Sequence, residues 1–349
     1  MKLKEWTNKY NPFNSMKVLC FRDRFEDIMN GNIPQPASVS VDSTNTCNLN
    51  CKFCHYAEFR EEQKKTISEK DLLWLADAIP KLGVRSCCYA GGGEPLLHSS
   101  SGKFLRKLSN NEVDIGIITN GLLIDRYIED IIESCKWVGV SVDSATEDTY
   151  INMKGATNGQ FDKVKSNIME LANYNKLKVG FKFLVHPDNY FELYSAAQLA
   201  RDLGCSYFHA RPCFNPELKW DDDMINYTLK QVKEAQAHIE TNKFQVCGVT
   251  HKFDNKFHKK VIEKCEITPI AGTTFAADGW VYLCCDLRGE KQGKLCKWRE
   301  IFDVWGSEHH REVIDNIDPN KCPHRCTYAP YQEILDEVFR KDLMTWKFV

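Results

Sequence analysis

Strand and helix patterns alternate six times from residue 38 onward, and this alternation limits the possible folds more than any other feature. Short apolar, β-branched runs predict strands at 38–42, 84–90, 113–120, 137–143, 177–185 and 205–212. Between them lie helical patterns, of which 68–82 begins at a Ser cap and carries Leu72, Leu75 and Ile79 on one face. Such alternation produces a parallel sheet, so we predict an α/β fold built as a partial (β/α)6 TIM barrel.

Three cysteines, Cys47, Cys51 and Cys54, follow the first predicted strand, at the carboxyl end where barrels of this type bind their ligands. Thiolates spaced x3 and then x2 on one loop can ligate a 4Fe-4S cluster, and three ligands for four irons leave one iron open to a small molecule. The next cysteines, Cys87 and Cys88, lie on a different predicted element. A zinc knuckle or a chance match is the alternative, but the spacing favours an iron-sulfur site with an open iron.

The composition narrows the class of protein. The chain has 349 residues, which favours one large domain followed by a smaller one. A net charge of −2 argues against nucleic acid or an acidic membrane as a partner. The first residues lack an apolar signal region, and no run of about 18 apolar residues occurs, so we expect a cytoplasmic protein. In that reducing compartment the sixteen cysteines are expected to be metal ligands or core residues instead of disulfides.

The C-x3-C-x2-C pattern, with Phe53 just before its last cysteine, resembles the radical S-adenosylmethionine (SAM) enzymes. The resemblance covers about residues 38–215. It implies that the open iron binds the amino and carboxylate groups of SAM, and that an electron from the cluster cleaves SAM to a 5'-deoxyadenosyl radical. That radical abstracts a hydrogen atom from the substrate. A flavodoxin or ferredoxin is the expected reductant, and a candidate docking patch, also typical of a solvated face, consists of Lys256, His258, Lys259, Lys260 and Lys264.

Polar groups suited to SAM follow the next three predicted strands. The run Gly91-Gly92-Gly93-Glu94-Pro95 resembles the family's GGE motif, which implies that Glu94 binds the amino group of SAM, with Gly92 and Gly93 beside it. The third and fourth strands end near Asn120, Ser141 and Asp143. These residues resemble the family at positions that contact the ribose hydroxyls and the methionyl carboxylate. Turn formation and helix capping are their alternative roles.

The sixth predicted strand leads to His209, Arg211 and Cys213, which are candidate catalytic residues at the same end of the barrel. Arg211 is suited to binding a carboxylate of SAM or of the substrate. Cys213 is suited to donating a hydrogen atom to a carbon radical. Because histidine and cysteine are often ordinary buried residues, a core role is the alternative for His209 and Cys213.

Cysteines recur in the C-terminal region at the wider spacing of Cys265, Cys284, Cys322 and Cys326. With Gly279 between the first two, the pattern resembles the twitch domain, a shortened SPASM domain. It implies an auxiliary 4Fe-4S cluster on these four cysteines, and therefore two 4Fe-4S clusters in the chain. A zinc site would also accept four thiolates. We therefore divide the chain into an N-terminal extension (1–37), a radical SAM core (38–245) and a small α+β twitch or SPASM-like domain (246–349).

Cys284 and Cys285 are adjacent, so the sequence must indicate which of the two is the cluster ligand. The segment TTFAADGWVYLCC predicts a hairpin that turns at Asp278-Gly279. Alternation along its second strand favours Cys284 as the ligand and Cys285 as a core residue. Cys296 and His324 are reserve candidates.

The function expected from this sequence is that of a radical SAM oxidoreductase, either a dehydrogenase or an epimerase, acting on a sugar, cyclitol or sugar nucleotide. Relatives with one auxiliary cluster include an alcohol dehydrogenase and the molybdopterin-forming cyclase, and the ending MTWKFV differs from the cyclase's glycine-arginine tail. The alternative is a maturase that crosslinks a ribosomally made peptide. Such enzymes usually carry a full SPASM domain and a recognition domain before the barrel, where 37 residues precede the first strand here. A non-enzymatic electron carrier with two clusters would need a fourth protein ligand at the first cluster, and the sequence shows no fourth cysteine near that loop.

Overall fold

The structure is a computed structural model that describes residues 11–213, 218–253, 262–322 and 326–339. Five residues of the sequence analysis lie outside these ranges, namely Lys256, His258, Lys259, Lys260 and His324. Lys264 is described, and its ammonium group pairs with Asp315 at 2.9 Å and with Glu266 at 3.4 Å.

The described residues include ten strands in one sheet. In chain order these are β1 (Ser38–Asp42), β2 (Ser86–Ala90), β3 (Asp114–Thr119), β4 (Cys135–Ser141), β5 (Lys178–Val185), β6 (Tyr207–Pro212), β7 (Gln245–Gly248), β8 (Thr274–Phe275), β9 (Trp280–Tyr282) and β10 (Lys294–Lys297). Strands β1 to β7 are parallel and lie in sequence order, so the predicted barrel strands and the α/β class are confirmed. Strand β8 joins the sheet parallel to β1, and β9 and β10 extend it as antiparallel strands.

Thirteen α-helices are present in the described ranges. They are α1 (Arg22–Met29), α2 (Ala57–Glu62), α3 (Glu69–Lys81), α4 (Ser101–Asn110), α5 (Ile128–Ser134), α6 (Glu147–Lys154), α7 (Gln160–Ala172), α8 (Leu193–Asp202), α9 (Asp222–His238), α10 (Thr268–Ala271), α11 (Ile301–Val304), α12 (Glu308–Asp315) and α13 (Ala329–Phe339). No helix in these ranges is both long and apolar enough to cross a bilayer.

The helices cover one face of the parallel sheet. Helix α3 begins as predicted, because the Ser68 hydroxyl accepts a hydrogen bond from the amide of Asp71. Its Leu72, Leu75 and Ile79 are fully buried in the same core as alternate strand residues such as Val39 and Ile115. Burying each of these large side chains contributes about 1.5–3 kcal/mol. We call the opposite face of the sheet the inner face.

The structure adds two elements to the prediction. Helix α1 lies within the predicted extension, and its Phe25 packs with Val18 against Ile267, Ile270 and Leu335 of the C-terminal region. This small second core joins helix α1 to helices α10 and α13. Strand β7 continues the parallel sheet to Gly248, just beyond the predicted boundary at 245. Its short length and single apolar pair gave too weak a pattern to predict a strand.

Candidate functional site

The loop that carries Cys47, Cys51 and Cys54 is fixed between the carboxyl ends of β1 and β4. The amides of Asn50 and Lys52 donate to the carbonyls of Lys154 and Met153, at 3.1 and 3.0 Å, at the end of α6. Gly155 ends that helix with a φ of +60°, and a Cβ there would lie 2.8 Å from the Asn50 carbonyl oxygen. Glycine therefore allows both the left-handed turn and the close approach of this loop.

The three thiols lie near one another in a partly buried setting. Burial raises the pKa of Cys47 and of Cys51, and the other loop thiols raise both slightly further. Arg60 donates to the Cys54 sulfur at 3.3 Å. The three sulfurs do not all come within 4.8 Å of one another. Three thiols on one loop are candidate ligands of one iron-sulfur cluster.

The glycine turn after β2 packs directly on the cysteine loop. The amides of Gly93 and Glu94 donate to the carbonyls of Thr44 and Thr46, at 3.0 and 2.9 Å. A Cβ at Gly93 would lie 2.0 Å from the Thr46 carbonyl oxygen, which no side chain can tolerate. This contact brings Glu94 close enough to Cys47 for their charges to interact.

Glu94 is buried and already held by three donors. One carboxylate oxygen accepts from the Leu96 amide at 3.1 Å and the Thr119 hydroxyl at 2.6 Å, and the other accepts from the Asn120 amide at 2.8 Å. Burial raises the pKa of Glu94, and these donors oppose that rise. The second oxygen accepts one such bond, which leaves it capacity for an ammonium group. The geometry therefore fits the amino group of SAM.

Asn120 lies beside the same loop, at the end of β3. Its side-chain amide donates to Asn48 at 2.7 Å and lies 4.0 Å from the Cys47 sulfur, while its oxygen accepts from the Leu122 amide. Ser141 ends β4 and is half-buried. Both residues stand where the sequence predicts SAM contacts, and those contacts stay a prediction.

Asp143 has partners that the sequence did not indicate. It adopts a φ of 62°, and its carboxylate forms a buried ion pair with Lys154 and accepts from the Leu184 amide. The Lys154 ammonium lies 5.1 Å from the centre of the Phe53 ring and near Cys51. Asp143 thus helps to fix the cluster loop through Lys154, and its predicted contact with SAM stays a prediction.

The candidate catalytic residues of β6 lie in two settings. His209 and Arg211 lie two residues apart on β6, so their side chains share one face of the sheet. The His209 Nδ1 lies 3.1 Å from the Lys182 ammonium of β5. Cys213 is 1% exposed, and its amide donates to the Val185 carbonyl at 2.7 Å. Its predicted role as a hydrogen donor stays a prediction. Lys182 was missed, because a lone lysine in an apolar strand is typical of an exposed strand edge.

The C-terminal cysteines gather around one region. Burial raises the pKa of Cys265 to about 12, with further contributions from the nearby thiols of Cys326 and Cys322. Asp286 interacts with Cys326, and its carboxylate accepts from the Thr327 hydroxyl at 3.1 Å. Within the described residues, one group brings at least three potential metal-ligating atoms within 4.8 Å of one another: Cys284, Cys285 and Asp286. Cys265 thus lies near Cys322 and Cys326, and Cys284 lies beside Asp286, which interacts with Cys326. A shared cluster on the four predicted ligands stays a prediction.

Alternation along a strand cannot choose between Cys284 and Cys285, because both lie beyond the end of β9. The predicted hairpin forms, with Gly279 at a φ of +82°, but β9 ends at Tyr282 and a 3-10 turn begins at Cys285. Cys284 is buried, whereas Cys285 is half-buried with its sulfur 3.6 Å from the Tyr328 hydroxyl. Both thiols are close enough to contribute a ligand, so Cys284 stays a prediction.

A buried ion pair joins this region to the cysteine loop. Arg288 pairs with Asp42 at the end of β1, and it donates to the Tyr56 hydroxyl at 2.7 Å. That hydroxyl donates to the Cys285 carbonyl at 3.0 Å. The charged side chains are 6% and 0% exposed. The pair therefore fixes the distance between the two cysteine groups.

A family model decides the identity of this domain. Residues 41–200 match the model described as the radical SAM superfamily. Residues 41–200 are a radical SAM domain. This radical SAM enzyme has SAM and 4Fe-4S clusters as its cofactors, and its C-terminal cysteine region fits an auxiliary cluster of the SPASM or twitch type. The donor sets described above fit these groups.

Two curated relatives of this chain have names that describe different functions. The antilisterial bacteriocin subtilosin biosynthesis protein AlbA of Bacillus subtilis is 26% identical over 210 residues, which are 59% of this chain and 44% of AlbA. The probable GTP 3',8-cyclase of Saccharolobus solfataricus is 28% identical over 298 residues, which are 79% of this chain and 89% of the cyclase. The chain thus spans less than half the length of AlbA.

Solved structures agree with the fold. The crystal structure of Streptococcus suis SuiB matches with a TM-score of 0.66 and 16% identity, over 88% of this chain and 73% of SuiB. SuiB has also been solved with its precursor peptide SuiA. At this identity the match shows the fold, a partial barrel followed by a further domain.

Proposed function

We propose that this radical SAM enzyme modifies a peptide, forming a thioether or carbon–carbon crosslink. One observation carries the proposal: a single sheet joins the open cysteine loop to a second cysteine group, in a fold that agrees with SuiB over 88% of the chain. AlbA, whose name assigns it to bacteriocin biosynthesis, supports the same class of substrate.

The residues have distinct expected roles in this reaction. Cys47, Cys51 and Cys54 would hold the cluster that binds SAM, and Glu94 and Asn120 would orient SAM beside it. When bound, SAM and this cluster supply a 5'-deoxyadenosyl radical that removes one hydrogen atom from the substrate.

A crosslink requires the loss of two hydrogen atoms, so a second electron must leave while a proton passes to solvent. An auxiliary cluster on Cys265, Cys322, Cys326 and either Cys284 or Cys285 would supply an acceptor for that electron. The described geometry supports this assignment because Arg288 holds the two cysteine groups together.

Nucleotide cyclisation is the second candidate, favoured by the match to 89% of the Saccharolobus cyclase. Oxidation or epimerisation of a sugar, cyclitol or sugar nucleotide, the function expected from the sequence, has no specific support from these relatives and stays a prediction. A flavodoxin or ferredoxin as the reductant stays a prediction as well.

The test uses anaerobically reconstituted enzyme with SAM, a reductant and either GTP or a short peptide encoded beside its gene. We expect the peptide to lose the mass of two hydrogen atoms, with one 5'-deoxyadenosine formed per crosslink. Consumption of GTP without any change in the peptide would overturn the proposal in favour of cyclisation. Solvent deuterium entering a substrate of unchanged oxidation state would overturn it in favour of epimerisation.

A variant pair tests the auxiliary cluster in the same assay. Cys322→Ala with Cys326→Ala should leave SAM cleavage measurable while crosslinking falls far more. Cys205→Ala, at a buried core cysteine, is the matched control and should crosslink normally.

A further inference from the structure

Glycines on the inner face of the barrel make room for three long side chains from the next strand. A Cβ at Gly116 would lie 1.9 Å from the Trp137 ring, and one at Gly180 would lie 2.0 Å from the Tyr207 ring. Between these two, a Cβ at Gly139 would lie 2.7 Å from the Cε of Lys182. Three neighbouring strands therefore carry glycine where a side chain must lie flat across the sheet, and the middle one of these side chains is a cation.

Lys182 is surrounded by aromatic rings instead of carboxylates. Its ammonium lies 5.3 Å from the ring centre of Phe13, 5.9 Å from that of Trp137 and 5.7 Å from that of Tyr207. Its hydrogen-bond partner is the His209 Nδ1 at 3.1 Å. Cation–π contacts stabilise such a charge only in part.

The surrounding charges are all positive. Burial, followed by the nearby Arg211, lowers the pKa of Lys182 to about 8. Burial, followed by Lys182, Arg211 and Lys252, holds the pKa of His209 well below its usual range. None of the described acidic side chains forms an ion pair with Lys182 or Arg211. The inner face thus holds an excess of positive charge.

The hydrogen-bond pattern also leaves one buried donor without an acceptor among the described residues. Near neutral pH the Lys182 ammonium donates to the His209 Nδ1, so the proton of the neutral imidazole is on Nε2. That Nε2 is buried and has no acceptor among the described residues. A buried donor left unpaired costs stability, and a ligand oxygen would satisfy it.

We propose that Lys182, His209 and Arg211 form a subsite on the inner face that binds an anionic group of the substrate, either a carboxylate or a phosphate. The subsite rests on the proposed function, since an acidic peptide side chain would supply the carboxylate, whereas a nucleotide would supply the phosphate. Phe13 stacks on His209 with a centroid distance of 4.5 Å and covers one side of the subsite. It links the N-terminal segment to substrate binding.

Titration calorimetry on the anaerobic holoenzyme with SAM tests the subsite without turnover. The probes are glutarate for a carboxylate and inorganic pyrophosphate for a phosphate. We expect the wild type to bind at least one probe, and Lys182→Met to bind it about ten- to a hundredfold more weakly, as the loss of a charge-assisted hydrogen bond requires. Lys182→Arg should recover part of the affinity. Lys178→Met, at an exposed lysine of the same strand, is the matched control and should bind like the wild type.

Each outcome decides the proposal. Tighter binding of glutarate assigns a carboxylate, and tighter binding of pyrophosphate assigns a phosphate. Failure of the wild type to bind either probe, or equal binding by Lys182→Met with a normal iron content and melting temperature, would overturn the subsite. Because no turnover is measured, this result is independent of whether peptide crosslinking is observed.

Discussion

Replacing Glu94 by Gln should weaken SAM binding while both clusters remain. The amide loses the charge that a desolvated ammonium group requires, and a charge-assisted hydrogen bond of this kind is worth about 1.5–3 kcal/mol. We therefore expect the dissociation constant of SAM to rise about tenfold to more than a hundredfold.

The contacts of Glu94 predict a second, structural cost. Its two oxygens accept from the backbone amides of Leu96 and Asn120, so a glutamine in either orientation turns its NH2 group toward one of these amides. The Thr119 hydroxyl can rotate to accept instead, but a backbone amide cannot. One buried donor is left unpaired, which should lower the free energy of unfolding by about 1–3 kcal/mol.

The assay is equilibrium binding of SAM to the anaerobic holoprotein, with iron content and thermal unfolding measured on the same samples. Glu61→Gln, at an exposed glutamate of α2, is the control and should match the wild type. Unchanged SAM affinity in Glu94→Gln would place the amino group elsewhere and refute the role of Glu94.

Two further predictions test the domain link and the cationic subsite. Arg288→Met leaves the Asp42 carboxylate buried without its partner, so the free energy of unfolding should fall by about 3–5 kcal/mol. The control Arg299→Met breaks the exposed pair with Asp71 and should lower it by less than about 1 kcal/mol. Equal melting temperatures of the two variants would contradict this. Anion binding should weaken as the pH rises through about 8, because burial lowers the pKa of Lys182 to about 8 and only its protonated form attracts an anion; affinity that is constant from pH 7 to 9.5 would contradict it. Burial raises the pKa of the nearby Cys88 and Cys247 thiols to about 12 and holds the pKa of His209 well below its usual range, so these three groups stay neutral from pH 7 to 9.5.

The sequence could predict the barrel because its pattern is local. Strands β1, β3, β4 and β5 each have a short run with Val or Ile, and helix α3 has a Ser68 cap and a single apolar stripe, so periodicity alone places them. The cysteine loop and the glycine turn after β2 are also contiguous motifs. Their meeting at Glu94 follows from parallel strands whose carboxyl ends share one edge.

The remaining parts of the site depend on contacts between distant residues. The pairing of Lys154 with Asp143 needs the left-handed backbone at Asp143, which sequence patterns do not show. The choice between Cys284 and Cys285 depends on where β9 ends, and strand ends are set by tertiary packing. Lys182 becomes significant only once Gly139 and the surrounding aromatic rings are placed around it.

The most direct test of the account is iron content and SAM cleavage in the triple variant Cys47→Ala, Cys51→Ala, Cys54→Ala. Anaerobically reconstituted wild type should hold about eight irons per chain, from one open and one closed cluster. The variant should keep roughly half of the iron and form no 5'-deoxyadenosine, whereas Cys205→Ala should keep both properties. Full iron retention in the triple variant, or continued cleavage of SAM, would show that these thiolates do not hold the catalytic cluster.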